Sequence, residues 1–201
     1  MFVRTVYATG DPALLEESLD GLRAESVKLL SGQPGYRGYG LFANRQLGTL
    51  TMGSWWETAE AEAASDAELR ERRNTLLVPF AATVAVNTWE AVVADPGQAV
   101  ENGGFRLVRF AFEPGTLDQV VKGFSESGLS GVREIDGYVG AAMLIDRGKS
   151  IGTVGAIFAD RQAFEASRGP QSELRSRASK ASGTTIYGLE EFDVVLLDRP
   201  Q

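Results

Sequence analysis

The chain carries an internal repeat, and this feature constrains the fold more than any other. Pro12, Leu15 and Gly35 each have a residue of the same type 102 positions later, and Trp89 has an aromatic counterpart, Phe192, 103 positions later. A long repeat period of this kind indicates that one structural unit occurs twice along a chain. The sequence therefore predicts two copies of one small domain rather than a single large one.

The repeat predicts where the chain divides. We expect a first repeat at 1–95, a linker at 96–103 and a second repeat at 104–201, and each repeat is large enough to form its own core. Apolar residues make up 43% of the chain, as is typical of a globular protein. No apolar run approaches the roughly 18 residues of a membrane-spanning helix, and the N-terminus does not resemble a secretory signal. We therefore expect no membrane association.

Charge and missing residue types narrow the possible functions. The net charge of −7 argues against a general nucleic-acid binder, which would present a basic face. Cysteine is absent, so disulfides and thiolate metal sites are impossible, and a cytoplasmic location is favoured. Histidine is also absent, which removes Ser-His-Asp and Cys-His triads, imidazole zinc sites and histidine-ligated haem. Carboxylate sites and tyrosine ligation are the remaining options for a metal ion, and because no clustered Asp/Glu spacing indicates such a site, we expect none.

Both halves show the element order βαββαβ. Hydrophobic periodicity and turn residues define the elements, and Asp11 followed by Pro12 is typical of a helix start. The first half is predicted to have strands at 2–9, 36–43, 47–55 and 83–93, and helices at 12–29 and 58–77, the latter divided at Ser65-Asp66. The second half is predicted to have strands at 105–112, 138–145, 151–158 and 185–197, a helix from 117, and a helical region at 160–181 broken near Gly169-Pro170, with two extra residues in its hairpin turn.

This order is the ferredoxin-like arrangement, in which an antiparallel sheet carries both helices on one face. The other face needs a cover, and the strands have apolar residues on both faces, as expected of a sheet that is covered twice. We therefore predict an α+β fold of two tandem ferredoxin-like repeats packed sheet to sheet. A monomer with an internal pseudo-dimer and a homodimer formed through strand edges are both compatible with this fold.

Several motifs resemble antibiotic biosynthesis monooxygenase (ABM) domains of the dimeric α+β barrel superfamily. They are the Pro34-Gly35-Tyr36 turn before the second strand and Trp56-Glu57-Thr58 at the start of an alanine-rich helix. The resemblance implies an intrachain dimeric α+β barrel. It also implies a cofactor-independent monooxygenase that acts on a flat apolar or aromatic small molecule. The haem-degrading branch of the family uses a helix histidine, where this chain has Ser65 or Asp66.

The resemblance directs attention to polar and aromatic residues of the first repeat. Trp56 would stack on a flat substrate, and Asn74 or Arg73 would stabilise an oxyanion. Trp55, on the opposite face of the strand from Trp56, and Tyr39 would line the ligand pocket. Each residue also has a structural interpretation, because large aromatic residues mostly form cores and the polar residues would suit a solvated helix face.

Two further positions are informative. Asn87 has no repeated counterpart, which favours a place in the ligand pocket over a framework role. Arg106 interrupts an apolar strand and needs a partner when buried, and Glu191 or Asp193 is the expected carboxylate. Arg4 is the counterpart of Arg106, which favours a structural role for both.

Three functional hypotheses remain open. The first is the cofactor-independent oxygenase. The second is a non-catalytic small-ligand-binding or stress-responsive barrel, and the third is a structural pseudo-dimer. If the second repeat has lost its site, the first repeat should contain the larger and more polar pocket.

Overall fold

The computed structural model describes residues 1–98, 100 and 102–199. The strands are β1 (Phe2–Gly10), β2 (Tyr36–Asn44), β3 (Thr49–Trp56), β4 (Ala81–Asp95), β5 (Gly104–Ala111), β6 (Tyr138–Asp146), β7 (Ile151–Phe158) and β8 (Thr185–Asp198). The α-helices are α1 (Leu15–Ser31), α2 (Ala59–Leu77), α3 (Leu117–Gly123), α4 (Leu129–Arg133), α5 (Arg161–Ala166) and α6 (Arg168–Ser182). The βαββαβ order predicted for each half is confirmed, and the predicted strands have ends within two residues of the observed ones.

The strand order confirms the predicted α+β class. The eight strands are hydrogen-bonded in the closed order β1-β3-β2-β8-β5-β7-β6-β4 and form a closed β-barrel. Together with the helices, this gives an α+β barrel. Within the described part of the chain, no helix combines the length and apolar content that a membrane crossing needs.

The chain forms two compact units. The first unit contains Met1–Trp89 together with the chain from Phe192 onward, and the second contains Glu90–Glu191. Each of the long strands β4 and β8 therefore contributes one part to each unit. The division into repeats at 1–95 and 104–201 with a linker at 96–103 stays a prediction, and residues 99, 101, 200 and 201 lie outside the described residues.

Equivalent elements of the two units recur at the offset seen in the sequence. The bounds of β2 and β3 differ from those of β6 and β7 by 102 positions at every end. The amide of Phe112 donates to the carbonyl of Ser150 at 3.0 Å, as the amide of Gly10 does to that of Gly48. Gly48 and Ser150 both have a left-handed backbone, with φ of 59° and 53°. The predicted two-residue insertion in the second hairpin is therefore wrong, because the turns have equal length.

The helices show where local signals were sufficient. Asp11 accepts a hydrogen bond from the amide of Ala13, and the 3-10 turn that follows leads into α1, which confirms the predicted start. The predicted division of α2 at Ser65-Asp66 is wrong, because α2 is continuous. The break in the second half lies at Ser167, between α5 and α6. Pro170 is accommodated in the first turn of α6, where its missing N–H costs nothing.

Among the described residues, the two units differ in packing between helices and sheet. In the first unit, a large buried cluster contains leucines of α1 packed against β1, β2 and β3. In the second unit, one cluster forms around Phe158 and Phe164 and a separate one around Phe110 and Met143. Phe124 is only partly buried at the edge of both.

Candidate functional site

The second unit contains a cavity of about 820 Å³ between its helices and its sheet. Side chains of β5, β6 and β7 line one side, and residues 119–134 and α6 line the other. Small-molecule sites in proteins commonly have volumes of about 300 to 1,000 Å³. The cavity is therefore large enough for a ligand of several fused rings or a comparable aliphatic body.

The first unit has a cavity in the equivalent position, but its volume is about 50 Å³. Every residue that lines it has a counterpart 102 positions later that lines the large cavity. The difference in volume comes from side-chain size, because bulky residues of the first unit correspond to small ones of the second. The clearest pairs are Tyr39 and Ala141, Leu29 and Gly131, Met52 and Val154, and Leu76 and Ala178. The prediction that the first repeat contains the larger pocket is wrong for this reason.

A change in helix geometry accompanies the large cavity. In the first unit, α1 is a continuous helix of 17 residues. In the second unit, the equivalent segment is interrupted by a π-helical turn at Phe124–Gly128, between α3 and α4. Phe124, Gly128 and Gly131 of this segment line the cavity. π-helical turns are rare and occur frequently at functional sites.

A buried arginine occupies the same framework position in both units. Arg4 donates to the carbonyl of Glu62 and to Oγ of Ser65, at 3.0 Å in each case. Its counterpart Arg106, which is 1% exposed, donates to the carbonyl of Phe164 and to Oγ of Ser167, the equivalent residues of the second unit. The predicted structural role of the pair is thereby supported by its hydrogen bonds.

Glu191 supplies the counter-charge of Arg106, as one of the two alternatives predicted. Oε1 of Glu191 accepts hydrogen bonds from Nε and Nη2 of Arg106 at 3.0 and 2.8 Å. Arg168 also donates to Glu191, at 2.7 Å. The hydrogen bond from Arg168 holds the pKa of Glu191 below its ordinary value, although burial alone would raise it. Burial lowers the pKa of Arg106, and the bond to Glu191 opposes that shift.

The two units differ in the charge beside a second arginine. In the first unit, Nη1 of Arg73 donates to Oδ1 of Asp66 at 2.5 Å. The counterparts in the second unit are Arg175 and Arg168, so Arg175 has a cation where Arg73 has a carboxylate. Nη1 of Arg175 is buried and makes no hydrogen bond within the described residues. Burial, followed by the charge of Arg106, lowers the pKa of Arg175.

A second unpaired donor lies one helical turn away. Gln171 of α6 is 5% exposed and lines the cavity, and its Nε2 has no acceptor among the described residues. Its counterpart in the first unit is Leu69, whose side chain has no polar group and needs no hydrogen-bond partner. The two unpaired donors, Gln171 and Arg175, therefore lie on one face of α6 that lines the cavity.

The residues predicted to be catalytic are dispersed in the first unit. Trp56 is fully buried in the core, where its Nε1 donates to Oγ of Ser54 at 2.9 Å and its ring meets Tyr36 edge to face. Arg73 lines the small cavity and is paired with Asp66. Asn74 is exposed on α2 and lines neither of the two cavities. Their catalytic roles stay predictions.

The residues predicted to bind the ligand are also separate from the large cavity. Tyr39 lines the small cavity, is buried, and donates to the sulfur of Met52 at 3.2 Å. Burial raises its pKa, although a hydrogen bond with Ser26 lowers it. Trp55 in β3 and Asn87 in β4 are half-buried and line neither cavity. The structure thus brings together Tyr39 and Arg73 alone among the six predicted site residues.

Sequence reasoning missed Gln171, Arg175 and the small residues that open the large cavity. A signal for them was present, because the constant offset pairs Leu69 with Gln171 and Tyr39 with Ala141. Comparing side-chain volumes at paired positions would have identified the second unit as the one with free space.

No family model matches the chain. It is 25% identical over 197 residues to the uncharacterized protein Rv2557 of Mycobacterium tuberculosis (strain ATCC 25618 / H37Rv), covering 98% of this chain and 88% of the relative. It is 23% identical over 198 residues to the uncharacterized protein Rv2558 of the same strain, covering 98% and 84%.

Solved structures show the same fold at low sequence identity. A candidate monooxygenase from Lactobacillus acidophilus NCFM has a TM-score of 0.74 at 10% identity, covering 98% of this chain and 95% of that one. An anthrone oxidase-like protein has a TM-score of 0.67 at 14% identity, covering 98% and 91%. A ferredoxin fold protein from Listeria monocytogenes 4b F2365, related to antibiotic biosynthesis monooxygenases, has a TM-score of 0.54 at 10% identity, covering 96% and 95%. The chain thus shares the ferredoxin-like α+β barrel fold of these proteins.

Proposed function

We propose that the protein is an ABM-like enzyme that binds a flat, mainly apolar small molecule in the cavity of the second unit. The observation that carries this proposal is the cavity of about 820 Å³, set against one of about 50 Å³ at the equivalent place in the first unit. Small-molecule sites are concave and mostly apolar, so a space of this size at only one of two equivalent places favours a ligand site there.

The proposed chemistry is oxygenation without a cofactor. A substrate carbon that carries two hydrogens would lose them and gain one oxygen atom from O₂, while the second oxygen atom leaves as water. The substrate supplies the electrons once it has been deprotonated. Displacement of water by the bound substrate would favour this reaction, because it strengthens the interaction of hydrogen-bond donors in the cavity with the negative charge of the deprotonated substrate. The fold shared with an anthrone oxidase-like protein supports this chemistry.

The first unit is the alternative place for the reaction. The predicted catalytic residues Trp56, Arg73 and Asn74 lie there, but its cavity of about 50 Å³ has room for about one or two water molecules. We therefore place the substrate in the second unit. The cytoplasmic location, and the choice between a monomeric pseudo-dimer and a homodimer, remain proposals that accompany this function.

A non-catalytic ligand-binding protein is the second candidate function. The carboxylates that line the large cavity, Glu126 and Glu134, are both exposed, and the buried polar groups beside them are donors. A general base is therefore less evident than a binding site, because a base must lie within hydrogen-bond distance of the proton that it removes.

Oxygen uptake with a panel of anthrones, whose central ring has a carbon with two hydrogens, tests the proposal. Ala141→Tyr introduces the residue found at the equivalent position of the first unit, Tyr39, and its side chain should fill the cavity. Oxygen uptake should therefore be lost in Ala141→Tyr and retained in the control Ala141→Ser. Asn74→Ala and Trp56→Phe should also retain uptake, provided that thermal unfolding shows a folded protein. Uptake that survives Ala141→Tyr but is lost in Asn74→Ala would place the reaction in the first unit. Binding sensitive to Ala141→Tyr without any uptake would favour the ligand-binding candidate.

A further inference from the structure

We propose, on the basis of the function assigned above, that the ligand of the large cavity is an apolar carboxylic acid whose carboxylate is bound by Gln171 and Arg175. The two residues lie one turn apart on α6, and both line the cavity. A carboxylate offers two acceptor oxygens, which matches two neighbouring donors.

The first observation is that both donors lack an acceptor. Gln171 is 5% exposed and its Nε2 is unpaired, and Nη1 of Arg175 is buried and unpaired within the described residues. Leaving a buried donor unpaired destabilises a protein, so such groups are rare in native structures. Arg106, a buried arginine that also lines the cavity, differs from Arg175 because its nitrogens donate to Glu191, Ser167 and the carbonyl of Phe164.

The second observation is that Arg175 lacks the aspartate that pairs with its counterpart Arg73. In the first unit, Asp66 is held by Arg73 and also accepts hydrogen bonds from Arg70. The second unit has Arg168 at the position of Asp66, and Arg106 and Arg168 already share Glu191. Arg106 and Arg168 thus both pair with one carboxylate, and the charge of that carboxylate also acts on Arg175. A bound anion would supply the charge that Asp66 supplies in the first unit.

The charges of the whole cavity agree with an anionic ligand. The ionisable residues that line it are Arg106, Lys122, Glu126, Glu134, Arg175 and Arg177. Four of these six are cations, although the chain as a whole has a net charge of −7. Both carboxylates are exposed, and Glu126 lies 4.0 Å from Lys122. The lining therefore carries an excess of positive charge.

The rest of the cavity suits the apolar part of such an acid. Phe110, Val120, Phe124 and Val154 contribute apolar surface from the helices and the sheet. An apolar wall with a few convergent polar groups is the usual construction of a small-molecule site.

Calorimetric titration with flat aromatic carboxylates and their neutral carboxamides, for example naphthoate and naphthamide, tests the ligand class. The wild-type protein should bind the acid about tenfold or more tightly than the amide, because a hydrogen bond to a charged group is worth more than a neutral one. Gln171→Leu, which restores the residue of the first unit, and Arg175→Met should each weaken acid binding more than amide binding and so remove most of this preference. Equal affinities of acid and amide for the wild type would overturn the proposal.

Position 168 offers a second test that preserves the cavity. Arg168→Asp should give Arg175 a built-in carboxylate, as Asp66 does for Arg73, and should abolish the preference for acids. Arg168→Asn removes the same cation without adding a carboxylate, so it should retain the preference. A preference for acids that persists in Arg168→Asp would contradict the role of Arg175.

Ala141→Tyr separates the two possible failures. If acid and amide bind equally and Ala141→Tyr abolishes both, the cavity binds ligands but does not select an acid. If no member of the panel binds, or if Ala141→Tyr leaves binding unchanged, then the proposed function of the cavity fails as well.

Discussion

At the level of single residues, buried arginines show how the same contact recurs in both units. Arg4 and Arg106 are 4% and 1% exposed, and each donates to a helix carbonyl and a serine hydroxyl as well as to a carboxylate. Arg4 also lies 5.3 Å from the ring centroid of Trp56, and Arg106 lies 4.6 Å from that of Phe164. Both residues therefore connect the first strand of their unit to the second helical segment.

We expect the variant Arg106→Met to be strongly destabilised. The variant loses the buried guanidinium that donates to Phe164, Ser167 and Glu191. Because Arg168 still pairs with Glu191, we expect the loss to be about 1.5 to 3 kcal/mol. Urea unfolding measures this loss. The exposed residue Arg23, paired with Asp20 on the helix surface, provides the control, because Arg23→Met should cost less than about 1 kcal/mol. Equal losses in the two variants would contradict the framework role.

Asp66 should make stability depend on pH. Burial alone would raise its pKa, but hydrogen bonds from Arg73 and Arg70 outweigh this effect and hold the pKa below the ordinary value of 3.8. The stabilisation that depends on its charge is thus fully present above the ordinary value and is lost as the pH falls through the lower pKa of the folded state. Unfolding free energies measured from about pH 7 down to about pH 2.5 should fall more steeply for the wild type than for Asp66→Asn. Parallel curves would refute this assignment.

At the level of elements, the strands were the easiest part of the fold to predict. Their apolar residues and the turn residues between them are local signals, which explains why β6 and β7 were found within one residue of their observed ends. The helix break in the second half was predicted, but the division of α2 was not observed. Ser65 lies inside a continuous helix and accepts a hydrogen bond from Arg4, 61 residues away in sequence, a contact that no local pattern reveals.

The segment with the π-helical turn should be the less stable of the two equivalent helices. Residues 117–133 line the large cavity, whereas α1 packs its leucines into a continuous core. Low packing density favours local opening. Hydrogen exchange followed by mass spectrometry should therefore show faster exchange for peptides of 117–133 than for those of 15–31. The strands β3 and β7 serve as controls with similar exchange, and slower exchange of 117–133 would contradict the prediction.

At the level of the whole molecule, neither unit is built from one continuous stretch of chain. The first unit is completed by the end of β8, where Asp198 accepts a hydrogen bond from the hydroxyl of Tyr36 at 2.6 Å. The second unit is completed by the end of β4, where Asp95 accepts the equivalent bond from Tyr138. Sequence reasoning could not predict this exchange of strand ends. The repeat predicts two similar units, but it does not show that the end of β8 belongs to the first unit and the end of β4 to the second.

The fragment 1–95 should not fold as a monomer. The fragment lacks the segment from Phe192 onward, which pairs with β2 in the first unit. Its own segment 90–95 plays the equivalent part in the second unit, where it pairs with β6. We expect the fragment to be unfolded or to form a homodimer in which each copy donates 90–95 to the other. Sedimentation equilibrium combined with circular dichroism distinguishes these states. A folded monomer at all concentrations would contradict the exchange of strands.

The candidate site was the part that sequence reasoning located least well. The resemblance to ABM domains directed attention to Trp56 and Asn74 of the first unit, whereas the free volume lies in the second. Cavity volume depends on many side chains that come together only in the folded chain, such as Ala141, Val154 and Ala178. The shifted alignment of the hairpin concealed part of this signal, because Met52 was not paired with Val154.

The three methionines of the chain allow a direct test of where a ligand binds. Met143 lines the large cavity, Met52 lines the small one, and Met1 is exposed at the N-terminus. In a protein labelled with ¹³C at the methionine methyl groups, titration with naphthoate should shift the signal of Met143 and leave those of Met52 and Met1 in place. A shift of Met52 without one of Met143 would place the ligand in the first unit and contradict the central claim.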